Sequence, residues 1–209
     1  MFLDLLVNPD RFFRQQAADP RFRGPAAVMF VYVVVAVASS LVTVKPVMDA
    51  MPAEVGAFAS FTYVVTAVGA AIGTLIFWLV YAGVFYLVSM YFGGTGRFTT
   101  TLKLVAWGFF PAIFAAVVSS AALYSVFQGI QLPADPTATG QFVSQLMTDP
   151  LVRMTTVVGF AFTLWQAFLW TFAVRYARDI DLRQAAITVG IPVGLMLVWN
   201  VLTFLGVGL

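Results

Sequence analysis

The chain has 209 residues, of which 61% are hydrophobic and 10% charged, and its formal net charge is +2. This charged fraction, with a mean hydropathy of +0.94, excludes an ordinary soluble domain, in which roughly 25% of residues are charged. Cysteine and histidine are absent, which excludes disulfides, thiolate nucleophiles and metal sites built from either residue. The composition predicts a single membrane-embedded domain, and no cofactor is expected.

Residues 1–24 combine arginines with apolar side chains and are predicted to form a cytoplasmic amphipathic segment. Asn8 and Pro9 have the residue types of a helix cap and a first helical position, so a short helix from about Pro9 to Ala17 is expected. With phenylalanines on one broad face and arginines beside them, this helix is predicted to lie in the membrane interface. The alternative is a membrane-proximal tail whose arginines merely follow the charge rule for topology.

Five apolar runs are long enough to cross a hydrocarbon core about 30 Å thick. The spans are predicted at about residues 25–44, 61–92, 104–127, 152–174 and 185–205, within one membrane domain of residues 25–209. The second run exceeds a straight span at ordinary tilt, so it is expected either to project from the membrane or to bend. Pro111 predicts a kink in the third run, between Trp107 and Pro111.

Polar residues also predict where the last two helices begin. Asp149 precedes Pro150, as a cap precedes a first helical residue. Asp181 is followed three residues later by Gln184, which is the spacing of a capping box. In the second run, Gly69 and Gly73 favour close packing within the chain over a dimer interface.

Basic residues flank the predicted spans unequally. Nine lie beside one face of the membrane: Arg11, Arg14, Arg21, Arg23, Arg97, Lys103, Arg175, Arg178 and Arg183. Lys45 and Arg153 lie beside the other. Because cytoplasmic segments retain positive charge, the prediction is a multi-pass protein of the cell membrane with a cytoplasmic amino terminus and an extracytoplasmic carboxyl terminus.

The five runs carry no Asp, Glu, Lys or Arg away from their edges. Such residues usually mark proton paths, ion sites and catalysis in membranes, and the residue sets of intramembrane proteases are missing as well. The chain is therefore not expected to be an enzyme. Gln166 and Asn200 favour interhelical hydrogen bonds. The alternative is a small permease or channel whose cavity they line together with the kinked third span.

The turn after the second run is rich in glycine, but it lacks the preceding strand and the Lys-Ser/Thr ending of a phosphate-binding loop. A helix C-cap followed by a tight turn is predicted there. The arginines near it are explained as topology signals, with binding of an anionic headgroup or a protein partner as the functional hypothesis. The residues proposed for that binding are Arg11, Arg14, Gly93, Gly94, Gly96, Arg97, Phe98, Arg175 and Arg178.

Several loose motifs occur in one order along the chain. They are Asn8-Pro9-x-x-Phe12-Phe13, Gly24-Pro25, Gly93-Gly94-x-Gly96-x-Phe98 followed by Trp107 and Pro111, and Arg178-Asp179-Ile180-Asp181 through Ala185-Ala186. Over nearly the whole chain this order resembles the prokaryotic branch of the Yip family, the Ypt/Rab-interacting-protein domain. The resemblance implies a five-helix membrane domain with a cytoplasmic amino terminus.

The resemblance also implies a kind of function. Eukaryotic members bind prenylated small GTPases and one another, and they act in vesicle formation and membrane shaping. This chain has only about 24 residues before its first span, where eukaryotic relatives carry a long cytoplasmic region, so GTPase binding is not carried over. The expected function is a non-enzymatic adaptor or organiser. Its expected partners are membrane lipids, a protein at the cytoplasmic face or a second copy, but no nucleic acid. Membrane remodelling by the interfacial helix is a third hypothesis.

Overall fold

The computed structural model of the protein describes residues 2–49, 58–127, 145 and 149–204. Within these ranges the chain forms helices and no strand, which confirms the all-α prediction. The helices are α1 (Phe2–Val7), α2 (Pro9–Ala18), α3 (Arg23–Asp49), α4 (Ala59–Tyr91), α5 (Phe98–Trp107), α6 (Phe110–Phe127), α7 (Pro150–Arg178) and α8 (Leu182–Phe204).

Helices α3, α4, α7 and α8 are each long and apolar enough to cross a bilayer. Helices α5 and α6 form a fifth span if they are taken together across a bend of 43°. The polytopic membrane architecture is thereby confirmed. The helix that carries the third predicted span begins at Phe98, ahead of the predicted start of that span near Leu104.

The bend between α5 and α6 lies where Pro111 predicts it. Pro111 is the second residue of α6, where its missing N–H costs the helix little. The Val105 carbonyl oxygen accepts a hydrogen bond of 2.9 Å from the indole Nε1 of Trp170 on α7. A neighbouring helix thus supplies a polar partner to the backbone beside the break, as the interior of a membrane requires.

The predicted helix starts are confirmed by their hydrogen bonds. The Asn8 side chain accepts from a backbone N–H of α2 at 3.1 Å, and the Asp149 carboxylate accepts from one of α7 at 2.8 Å. Asp181 and Gln184 form the reciprocal capping box, in which each side chain accepts from the other's backbone N–H, at 2.7 and 3.1 Å.

The described residues fall into two compact units. The first contains those within Met1–Phe30, Ile76–Pro111 and Thr163–Leu209, and the second those within Val31–Leu75 and Ala112–Phe162. In the first, aromatic and aliphatic side chains form a buried core that includes Phe13, Phe85 and Trp170. In the second, no described atom beyond the adjacent stretch of α4 lies within 4 Å of a Cβ placed on Gly69 or Gly73, so the packing expected of these glycines is not observed there.

Candidate functional site

The first unit brings three segments together: α2, the turn of residues 92–97 and the carboxyl end of α7. Helix α2 is attached through its aromatic face, because Phe12 and Phe13 are 2% and 0% exposed. The Phe12 ring meets Trp107 of α5 edge to face, with centroids 5.0 Å apart. Lys103 of α5 donates from Nζ to the Pro20 carbonyl oxygen at 2.9 Å. The amino-terminal segment is therefore packed against the spans of this unit.

Asp10, near the start of α2, accepts hydrogen bonds from three side chains. Its Oδ1 accepts from Arg175 Nη1 at 2.8 Å and from the Tyr176 hydroxyl at 2.7 Å. Its Oδ2 accepts from Arg14 Nη2 at 2.6 Å. Arg14 Nε also donates to the Tyr176 hydroxyl, at 3.2 Å. We call Asp10, Arg14, Arg175 and Tyr176 the Asp10 cluster.

The environment of the Asp10 cluster favours an ionised carboxylate. The hydrogen bond from Tyr176 lowers the pKa of Asp10 below its ordinary value of 3.8. Partial burial opposes this change, and the positive charges of Arg14 and Arg175 reinforce the lowering. With two guanidinium groups and one carboxylate, the cluster carries one net positive charge at neutral pH.

Arg178, the last residue of α7, is 1% exposed and lies under the glycine-rich turn. Its Nε donates to Ser89 Oγ at 2.8 Å, while Nη1 and Nη2 donate to the carbonyl oxygens of Gly96 and Gly94. Its guanidinium carbon stands 4.0 Å from the centre of the Tyr86 ring. A buried charge is tolerated only with such partners, so Arg178 is the residue that holds the turn in place.

Two positions in this turn require glycine for different reasons. Gly93 follows the end of α4 with φ = 79°, the left-handed conformation of a helix C-cap. Gly96 lies against α7, and a Cβ there would overlap the Ala177 carbonyl oxygen. The backbone N–H of Thr95 completes the junction by donating to the Arg178 carbonyl oxygen at 3.0 Å. The predicted C-cap and tight turn agree with this geometry.

The structure separates eight of the nine predicted binding residues into three groups, and Phe98 stands apart from them. Gly94, Gly96 and Arg178 meet in a buried hydrogen-bond network. Arg14 and Arg175 meet in the Asp10 cluster. Gly93, Arg11 and Arg97 are exposed. The Phe98 ring is half-buried and stands edge-on to Tyr86, with centroids 5.5 Å apart.

Sequence reasoning did not single out Ser89, Tyr86, Asp10 or Tyr176 as members of the site. The four-residue spacing of Asp10 and Arg14 on one helix was the available signal, since side chains at i and i+4 are neighbours. The other contacts join residues far apart in the chain, and no local sequence pattern predicts them.

Gln166 and Asn200 are the residues proposed to line a cavity, and the pocket described below does not include them. Gln166 is half-buried in α7. Asn200 is exposed and donates from Nδ2 to the Met196 carbonyl oxygen of its own helix, at 2.7 Å. The structure does contain a pocket of about 450 Å³ within the second unit, lined by Ser39, Ser40, Thr43, Val44 and Thr66. Neither Gln166 nor Asn200 lines that pocket.

Comparison with known proteins places the chain in a family of membrane proteins. The sequence pattern of the Yip1 domain matches residues 3–203, which include nearly all of α1 to α8. An uncharacterized protein of Methanocaldococcus jannaschii is 26% identical to the chain over 118 residues, which are 56% of this chain and 84% of that protein. No solved structure matches the chain.

Proposed function

This chain belongs to the Yip1 domain family, and we propose that it is a non-enzymatic adaptor or organiser of the membrane that contains it. It acts through a surface that we call the basic face: the exposed parts of α2, of residues 92–97 and of the carboxyl end of α7. Its ligands there are anionic lipid headgroups or an acidic or lipidated segment of a protein partner.

The distribution of charge supports a cytoplasmic position for the basic face. Nine of the eleven Lys and Arg residues lie beside the membrane edges on that side, counted along the sequence. Positive charge in short flanking segments is retained on the cytoplasmic side during insertion. The amino terminus is then cytoplasmic and the carboxyl terminus extracytoplasmic, in the cell membrane.

The observation that carries the proposal is that two segments of the basic face are attached to buried residues of the first unit. Arg178 fixes the turn from below, and Phe12 anchors α2 on Trp107. Arg11 and Arg97 remain exposed on the segments so fixed. Because these segments are already ordered, binding does not incur the entropy cost of ordering them. Arg178 itself is engaged inside the protein, so we assign it to the support and not to the contact surface.

The exposed arginines provide the attraction. Each basic residue near an anionic surface contributes on the order of 1 kcal/mol. Replacing both Arg11 and Arg97 by Gln should therefore weaken binding to an anionic surface by about 2 kcal/mol, or roughly thirtyfold.

The test uses the full chain in nanodiscs of neutral phosphatidylcholine. Capture of vesicles that contain phosphatidylglycerol is measured for the unaltered protein, for the double variant Arg11→Gln/Arg97→Gln, and for Arg153→Gln as a control that removes a charge from the predicted opposite face. Weaker capture by the double variant alone supports the proposal. Equal capture by all three proteins would refute the proposal that the basic face binds anionic lipid. The same comparison with an acidic peptide would then test whether it binds a protein partner.

A further inference from the structure

The donors of the Asp10 cluster resemble those of an anion-binding site, and the anion that they hold is a carboxylate of the chain itself. We propose that Arg14, Arg175 and Tyr176 bind a phosphate group, and that the Asp10 carboxylate competes for the same donors and keeps the site closed. This inference rests on the proposed function, because it identifies one specific ligand position within the basic face.

The donors around Asp10 suit a tetrahedral oxyanion. Two come from arginines and one from a phenol, and they meet the carboxylate oxygens at 2.6 to 2.8 Å. These are the lengths of charge-assisted hydrogen bonds. Guanidinium groups match phosphate as well as carboxylate. A phosphate oxygen placed where Oδ1 now lies would accept from Arg175 and Tyr176 together.

The accessibility of the cluster distinguishes it from the Arg178 network. The Asp10, Arg14 and Arg175 side chains are 32%, 66% and 33% exposed, whereas Arg178 is 1% exposed with its donors committed to the turn. A ligand from solvent or from the headgroup layer can therefore reach the Asp10 cluster. Exchange of one anion for another requires only that Asp10 turn away.

Asp10 can leave the site without releasing α2. The helix is held independently by Phe12 and Phe13, which are buried against the first unit. The Lys103 hydrogen bond to Pro20 holds the chain just after the helix. Removal of the Asp10 carboxylate should therefore empty the site rather than dismantle it.

Competition between the Asp10 carboxylate and phosphate determines how the affinity for phosphate should change when Asp10 is replaced. If Asp10 occupies the donors about nine-tenths of the time, its removal raises the apparent affinity for phosphate about tenfold. The cluster then carries two positive charges and no negative one, which favours a phosphate monoester or diester further. A purely structural role for Asp10 predicts no such gain.

The experiment compares matched variants of the full chain in neutral detergent. Asp10→Asn removes the competing charge with little change of shape, and Asp10→Ala is the second variant if the amide still occupies the donors. Asp19→Asn is the control, because it removes the same charge from an exposed carboxylate at the end of the same helix, where it pairs with Arg21 at 2.7 Å. Calorimetric titrations use inorganic phosphate and a short-chain phosphatidylglycerol as separate probes.

A gain of about tenfold in Asp10→Asn or Asp10→Ala that is absent in Asp19→Asn, and lost when Arg175→Gln is added, supports the inference. A gain for inorganic phosphate alone assigns the site to a soluble ligand, and a gain for the lipid assigns it to a headgroup. Unchanged affinity in both Asp10 variants would overturn it, as would an equal gain in Asp19→Asn, which would reflect net charge only. Loss of vesicle capture in Arg11→Gln/Arg97→Gln is independent of these outcomes, so either proposal can fail alone.

Discussion

Gly96 lies so close to Ala177 that a Cβ carbon at residue 96 would overlap the Ala177 carbonyl oxygen. The turn between α4 and α5 is thus pressed directly onto the last turn of α7, with the Arg178 guanidinium hydrogen-bonded to the Gly96 carbonyl oxygen. Since the Cβ is fixed directly to its own backbone and the atom that it meets is a backbone oxygen, neither can move aside cheaply. This junction joins two of the three segments that form the basic face.

Gly96→Ala should destabilise the protein. The added methyl group forces the turn away from α7 and weakens the hydrogen bonds that Arg178 makes with it, a cost of about 2 to 4 kcal/mol. Thermal unfolding in detergent should show a clearly lower midpoint.

The matched control for that substitution is Gly83→Ala in α4. No described atom outside its own neighbourhood lies within 4 Å of the added Cβ, and alanine is favoured over glycine inside a helix by about 0.5 to 1 kcal/mol. Its unfolding midpoint should stay level or rise. An equal loss of stability in both variants would contradict the close contact at Gly96.

Arg178→Ala should cost about 3 kcal/mol or more, because it leaves the Gly94 and Gly96 carbonyl oxygens and the Ser89 hydroxyl without their donor. Arg178→Lys should restore part of this loss, since an ammonium group cannot reach all three acceptors at once. Arg183→Ala, at an exposed position, should change stability by no more than about 0.5 kcal/mol. Unfolding midpoints of the three variants give the ranking, and similar values for Arg178→Ala and Arg183→Ala would refute it.

The Asp10 cluster predicts a stability change at acid pH. The Tyr176 hydrogen bond lowers the pKa of Asp10 in the folded protein. The ionised carboxylate therefore stabilises the fold at pH values above 3.8, its ordinary pKa. That contribution is lost as the pH falls below 3.8 and through the lowered value. Unfolding midpoints of the unaltered protein and of Asp10→Asn should therefore differ at neutral pH and converge in acid.

Tyr176→Phe provides the internal check on this pH dependence. It removes the hydrogen bond that contributes most to lowering the pKa of Asp10, so the stability lost in acid should be smaller, and the loss should be complete at a higher pH, than in the unaltered protein. An unchanged acid limb in Tyr176→Phe would show that the hydroxyl does not set the titration of Asp10.

The proposed orientation can be tested with single cysteines, because the chain has none of its own. Thr95→Cys places a thiol on an exposed residue of the turn. Ala138→Cys places one between the third and fourth predicted spans, outside the described residues. A membrane-impermeant maleimide added to intact cells should label residue 138 and spare residue 95. Labelling with the opposite preference would reverse the topology.

The sequence alone determined the helical class, the membrane location and the starts of several helices. These follow from local information: the length of each apolar run, the cap residues such as Asn8 and Asp181, and the proline at residue 111. Family membership also came from the sequence, through the order of short motifs.

The tertiary structure alone decided what the arginines do. Arg175 and Arg178 are separated by less than one helical turn, yet Arg175 is a third exposed beside Asp10 while Arg178 is buried under Gly94 and Gly96. Their partners lie far away along the chain, so no periodicity or spacing identifies them. The physical reason is that the burial and pairing of a charge depend on which distant segments fold against it, whereas its tendency to lie at a membrane edge depends on the residue itself.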